Sequence, residues 1–156
     1  MHVLSTYKYK EENAMKLKIL PCYCATLRQA ARAVTALYEE TLSDSGLHAT
    51  QFTALQLLKA APAIATTELA DSIGIDQTTA TRTLGLIRKA GLAIDSAGSD
   101  RREKRWTLTA KGEARLRELS PRWEAAQDLF EKRLGKAEAQ ALKKASYAAA
   151  ARLDHG

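Results

Sequence analysis

The stretch Thr66–Thr109 reads TTELADSIGIDQTTATRTLGLIRKAGLAIDSAGSDRREKRWTLT, and its order of small, polar and basic residues decides the fold. Leu69-Ala70 followed by Gly74-Ile75 has the spacing of a helix-turn-helix: a small residue lets two helices cross closely, and a glycine four positions later takes the turn. Asp76 is placed to cap the second helix, predicted over Gln77–Lys89, with Ala80, Leu84 and Ile87 on its inner face. That phase turns Gln77, Thr78, Thr79, Thr81 and Arg82 outward, and such polar side chains can bond base edges in a major groove. Gly91 stands where a left-handed C-terminal cap is wanted. Short extended runs at Leu92–Asp95 and Arg105–Leu108 flank a hairpin tip, Ser99-Asp100-Arg101-Arg102-Glu103-Lys104-Arg105, suited to phosphate and minor-groove contact. Together these features predict a winged helix-turn-helix and point to double-stranded DNA as the partner.

Charge supports the same reading. The net charge is +6, and between Arg82 and Arg105 seven Lys/Arg face three Asp/Glu, so +4 of it falls within the predicted lobe. Basicity focused on one motif is the electrostatic footprint of a nucleic-acid partner. The chain has 156 residues, room for one domain, and its 46% hydrophobic content is ample for a core.

Outward from the lobe the pattern is helical. Pro21 can open a first long helix, with apolar residues at Leu27, Ala31, Val34, Tyr38 and Leu42, and Gly46 ends it. Thr50 is expected to cap a second helix through Leu58, with Phe52, Leu55 and Leu58 inward. Pro62 closes it, Ala63–Ala65 can form a short strand, and Thr67–Ser72 is the first helix of the motif. Thr109 opens another helix carrying Leu116, Leu119, Trp123, Ala126, Phe130 and Leu134. After Gly135 a last, alanine-rich helix carries Leu142, Ala145, Ala149 and Leu153. One small lobe cannot cover apolar faces on all the long terminal helices, so a two-fold partner is expected. The fold class is therefore mainly α: a winged helix-turn-helix lobe (50–109) with a small β-hairpin wing, plus N- and C-terminal dimerisation helices (21–45 and 111–153). Residues 21–156 make a single domain and residues 1–20 a poorly ordered N-terminal extension; Met15 is an alternative start.

Several classes find no support. Lys8, Lys10, Glu11, Glu12, Lys16 and Lys18 interrupt any signal-peptide core, and no run of 18 apolar residues exists, so no membrane is expected and the cytoplasm is the natural compartment. There is no Walker loop, no G-x-S-x-G and no metal-spaced histidine set; His2, His48 and His155 are scattered and read as surface residues. No enzyme activity, metal or cofactor is therefore expected. The competing reading is a winged helix used as a protein-interaction module, though such modules usually lack a dense basic wing.

The segments Thr50-Gln51-Phe52 before Leu55 and Leu58, Leu69-Ala70, Thr81-Arg82, Gly91-Leu92, Asp100-Arg101-Arg102, and Leu108-Thr109 before Gly112 resemble the MarR family of transcriptional regulators. In order and spacing they cover residues 21 to about 150. The resemblance implies a triangular, obligate homodimer with interlocked terminal helices, reading a palindromic operator. It further implies a repressor of nearby genes, less often an activator, released by a small ligand or oxidant. The family's wing places Arg102 in the minor groove with Asp100 orienting it; the plainer reading of Asp100 is a turn former. Arg101 and Lys104 complete the wing set, and Thr78, Thr79, Thr81 and Arg82 take the major-groove positions. The sequence departs from the family in Thr83, where an apolar residue usually packs, and in Gly85, which costs roughly 1 kcal/mol against alanine mid-helix.

Cys22-Tyr23-Cys24 is the other chemically pointed feature. Cys24, eight residues before Arg32, is similar in placement to the cysteine of the family's peroxide-sensing branch, which implies that Tyr38 reaches it from the partner subunit. Arg28 stands where that branch places a further tyrosine. A helix N-terminus lowers a thiol's pKa and raises its reactivity. Three readings stay open: two small buried thiols in a helix-start contact, a redox sensor built on Cys22, Cys24 and Tyr38, or metal binding with His48 or His155. Otherwise an effector of unknown identity is expected between the dimerisation helices and the lobe.

Overall fold

The computed structural model describes residues 22–100 and 103–153. The expectations placed on residues 1–20, Pro21, Arg101, Arg102 and His155 lie outside the described residues. The elements run α1 (Tyr23–Leu42), a 3-10 turn (Ser43–Ser45), α2 (Ala49–Ala60), β1 (Ile64–Ala65), α3 (Thr66–Ile73), α4 (Gln77–Lys89), β2 (Ala93–Ala97), β3 (Lys104–Leu108), α5 (Ala110–Leu134) and α6 (Lys136–Leu153). The chain divides into two compact units between Ala33 and Val34. The first described unit is the opening of α1. The second begins with the last turns of α1 and holds everything after them.

The core of the larger unit collects Leu37, Tyr38 and Leu42 of α1, Phe52, Leu55 and Leu58 of α2, Leu69 of α3, Ala80, Leu84 and Ile87 of α4, Trp106 of β3, and Leu116, Leu119 and Ala126 of α5. Trp123 is the aromatic hinge of this packing. Its ring stacks on Phe52 at 4.7 Å between centroids and meets Tyr38 at 4.4 Å, tilted. Offset and tilted pairs of this kind add to plain area burial.

Local chemistry explains most boundaries. Gly46, Gly74 and Gly91 all take left-handed backbone, as their turns require. Asp76 caps α4 by accepting from the Thr79 amide at 2.9 Å, and Thr109 caps α5 by accepting from the Gly112 amide at 3.0 Å. The start of α2 differs from expectation. Thr50 lies inside the helix, which begins at Ala49, and its first amide is satisfied by the Glu39 carboxylate of α1 at 2.8 Å. A tertiary contact does there what a local cap does elsewhere, and Gln51 Oε1 accepts from the His48 amide at 2.8 Å. The α3 helix starts at Thr66 rather than Thr67, because Glu68 reaches back to the Ala65 amide at 2.8 Å.

The three strands form an antiparallel sheet in the order β1-β3-β2, with Ile64 opposite Trp106 and Ala93 opposite Leu108. The β2–β3 hairpin is the wing, closed by the Gly98 amide on the Glu103 carbonyl at 2.8 Å. Leu92, expected in the first wing strand, instead turns its carbonyl onto the Thr109 amide at 3.0 Å, locking the wing base to the start of α5.

Candidate nucleic-acid interface

Helix α4 carries the expected face. Ala80, Leu84 and Ile87 are fully buried, which leaves Gln77, Thr78, Thr79, Thr81 and Arg82 exposed, with Thr78 and Arg82 pointing directly away from the buried stripe. Thr83, expected as a misfit, is buried with them. Two hydroxyls have prior partners. The Thr79 hydroxyl donates to Asp76 Oδ2 at 2.6 Å, so it belongs to the helix cap as much as to the surface. The Thr81 hydroxyl donates to the Gln77 carbonyl at 2.8 Å, which leaves its oxygen lone pairs and its methyl for a ligand. Asp76 is held below the usual carboxylate range by its hydrogen bonds with the Thr79 side chain and amide.

Between α4 and the wing runs an open groove of about 450 Å³. Gln77, Thr81, Gly85 and Arg88 form one wall, and Asp100, Glu103 and Lys104 the other, with Trp106 among the lining. Among the described residues, and apart from the helix's own backbone, Gly85 has no atom within 4 Å of where a Cβ would sit, so no close contact there offsets its cost to the helix. The pairing of Asp100 with Arg102 involves a residue outside the described ones.

Charge counting alone overstates what the wing offers. Arg105, counted in the basic tip, is held by Glu103 at 2.7 Å and Glu68 at 3.2 Å, and also donates to the Ala63 carbonyl at 3.3 Å. It staples β3 to α3. Lys104 pairs with Asp95 at 3.2 Å, and Arg88 donates to the same carboxylate at 2.8 Å. Arg88, Asp95 and Glu68 were not singled out by sequence. The usable signal was Arg88 and Asp95 seven residues apart across the Gly91 turn, which folds one back onto the other.

A second cavity of about 290 Å³ lies among Tyr38, Thr53, Ile75 and Trp123, within the region expected to receive an effector. Burial raises the Tyr38 phenol above its usual pKa, so it stays a neutral donor. Cys22 and Cys24 are both exposed within the single chain. The Arg28 Nη2 approaches Cys24 Sγ at 3.5 Å, one helical turn along α1. Among the described residues, no group of three or more His, Cys, Asp or Glu is placed to hold a metal ion; His48 instead meets Glu39 at 3.1 Å.

With this geometry in place, comparisons with known proteins converge. The MarR family model matches residues 47–104. The M. tuberculosis transcriptional regulator MosR, in a structure with DNA, is similar at 37% identity and a TM-score of 0.66, over 81% of this chain and 97% of that one. BpsR of Bordetella bronchiseptica, described for regulation of its DNA binding by 6-hydroxynicotinic acid, is similar at 27% identity and a TM-score of 0.71, over 81% of this chain and 92% of that one. The uncharacterized HTH-type transcriptional regulator YwoH of Bacillus subtilis (strain 168) is 27% identical over 94 residues, 60% of this chain and 69% of that one.

Proposed function

This chain belongs to the MarR family and is a DNA-binding transcriptional regulator, and from that premise we propose that it works as a homodimeric repressor of nearby genes, released from a palindromic operator by a small ligand or oxidant. The observation that supports operator reading most is the phase of α4: a buried Ala80-Leu84-Ile87 stripe opposite an exposed polar face that continues into the wing groove. In this reading Gln77, Thr78, Thr81 and Arg82 meet base edges and Thr79 keeps the helix start in place. Lys104 and Arg101 meet phosphates, while Asp100 steers Arg102 in the minor groove.

Dimerisation is supported by apolar side chains that the single chain leaves uncovered. Tyr147 and Leu153 of α6 are 70% and 76% exposed, and Tyr23 of α1 is 92% exposed. A second copy is the occupant that also supplies a second recognition helix. No described helix is long and apolar enough to cross a membrane, and action in the cytoplasm, on the chromosome, is part of the proposal, as is the absence of a catalytic role.

Two effector routes are supported by different observations. The cavity beside Tyr38 and Trp123 favours a small ligand that stacks on indole and accepts from a phenol. The exposed Cys22 and Cys24, with Arg28 against Cys24, favour an oxidant, with Tyr38 as the thiol's partner across the dimer. The test of the function is retention of genomic DNA fragments at moderate salt. A regulator retains a small, reproducible set; a protein-interaction module retains none. Loss of the retained set after peroxide, prevented by Cys24→Ser, selects the oxidant route. Loss that the substitution does not prevent removes it.

A further inference from the structure

Asp95, on β2, holds a different cation on each carboxylate oxygen. Arg88 Nη1, from the last turn of α4, donates to Oδ1 at 2.8 Å, and Lys104 Nζ, at the first position of β3, lies 3.2 Å from Oδ2. The same two cations flank the Trp106 ring, 5.9 Å and 6.0 Å from its centroid. Trp106 is itself fixed, buried and donating its indole N–H to Thr66 of α3 at 2.9 Å. The anion is recessed relative to its partners: side-chain exposure is 21% for Asp95 against 49% for Arg88 and 54% for Lys104. Arg88 and Lys104 line the groove between α4 and the wing, together with Gln77 and Thr81.

We propose that Asp95 is a positioning residue for DNA recognition, fixing Arg88 and Lys104 as a two-point phosphate clamp that sets the register of α4 on the bases. The proposal rests on the lobe binding DNA. A carboxylate near a DNA-facing groove repels phosphate, so its presence there carries a cost that a compensating gain must offset. Half-exposed ion pairs contribute little to stability, which makes a purely structural gain a poor explanation. Holding two long, rotamer-rich side chains in place before phosphate arrives removes an ordering cost from binding. It also ties the wing to the recognition helix, since the three partners come from α4, β2 and β3. The hydrogen bond from Arg88 keeps the Asp95 carboxyl below the usual carboxylate range, so the clamp is ionised at neutral pH.

Asp95→Asn separates positioning from charge. Removing one negative charge per subunit should by itself tighten binding to every DNA and steepen its salt dependence. The probes are the duplex that the wild-type protein enriches from a randomised pool and the same duplex with both half-sites scrambled. Positioning predicts opposite signs: affinity for the enriched duplex falls about tenfold, while affinity for the scrambled duplex stays level or rises. In an Arg88→Ala/Lys104→Ala background, Asp95→Asn should no longer change the ratio of the two affinities. Tighter binding to both duplexes makes Asp95 a mere brake on affinity and overturns the proposal. Parallel weakening on both overturns it too, leaving Asp95 a role in folding only. Should the Asn variant not fold, Asp95→Glu moves the charge by one methylene without removing it: a lowered ratio supports positioning, and an unchanged ratio overturns it. A wild-type protein that enriches no duplex overturns the underlying DNA reading, a result distinct from any difference between variants.

Discussion

At Gly112 an added Cβ would run into the carbonyl oxygen of Leu92 and crowd the Leu108 side chain. That contact is the physical content of the glycine that follows Leu108-Thr109 in the sequence motif. The first turn of α5 sits directly on the backbone leaving α4, where Thr109 also donates its amide to Leu92. Gly112→Ala is therefore expected to destabilise the fold by about 1–3 kcal/mol or more, seen as a lower urea midpoint at constant slope; an unchanged midpoint would show that the backbone yields easily. Ala63 presents the reverse case, a non-glycine residue at φ 61 in the turn before β1. Left-handed backbone costs an L-residue roughly 1–2 kcal/mol, partly offset by the extra unfolded-state freedom of glycine. Ala63→Gly should stabilise by up to about 1 kcal/mol, and a fall in the midpoint would sink the strain argument. Neither effect is visible to sequence reading, since both depend on what sits beside the residue.

Helix α4 was legible to the residue because its cap, buried stripe and terminal glycine turn are all local signals. The start of α2 was not, because its cap comes from Glu39 on another helix. The wing shows the same divide. Its two strands follow from the sequence to within about two residues at their ends, but its charges do not: sequence counts seven cations, while the fold commits Arg88, Lys104 and Arg105 to Asp95, Glu103 and Glu68. Two carboxylates in this region titrate below their ordinary range: Asp76 through its bonds to Thr79, and Asp95 chiefly through Arg88. Groups with depressed folded pKa values contribute stability above the unfolded carboxylate value, about 3.9, and lose it as pH falls through the folded value. Thermal stability should therefore drop below about pH 4, and Asp76→Asn should reduce the acid-side slope. A variant with the wild-type slope would remove the α4 cap from the acid response.

Across the whole molecule, the long helices present more apolar surface than this chain covers, with Leu134, Tyr147 and Leu153 exposed along α5 and α6. Periodicity predicted those helices well, with Leu153 on the face expected to meet a partner, and the structure separates faces buried within the chain from faces left over. Pro121 lies inside α5, where it removes one helical hydrogen bond, and the helix nonetheless continues to Leu134. Sedimentation at micromolar concentration should give a dimer that Leu153→Glu and Tyr147→Glu together dissociate. A stable wild-type monomer would end the two-fold model, and with it the expectation of a palindromic site.

The most direct test of sequence reading by α4 is selection from a pool of randomised duplexes, run in parallel with the wild-type protein and Arg82→Ala. Arg82 is exposed on the face opposite Ala80, Leu84 and Ile87, and is long enough to fork onto a guanine. The wild type should enrich a two-fold symmetric consensus with half-sites about 34 Å apart. Arg82→Ala should enrich the same consensus with preference relaxed at one position of each half-site, by about 1–3 kcal/mol. An Arg82→Ala protein that returns the wild-type consensus unchanged, only bound more weakly, would make Arg82 a phosphate contact. A wild-type protein that enriches no consensus at all would contradict sequence-specific recognition by this helix.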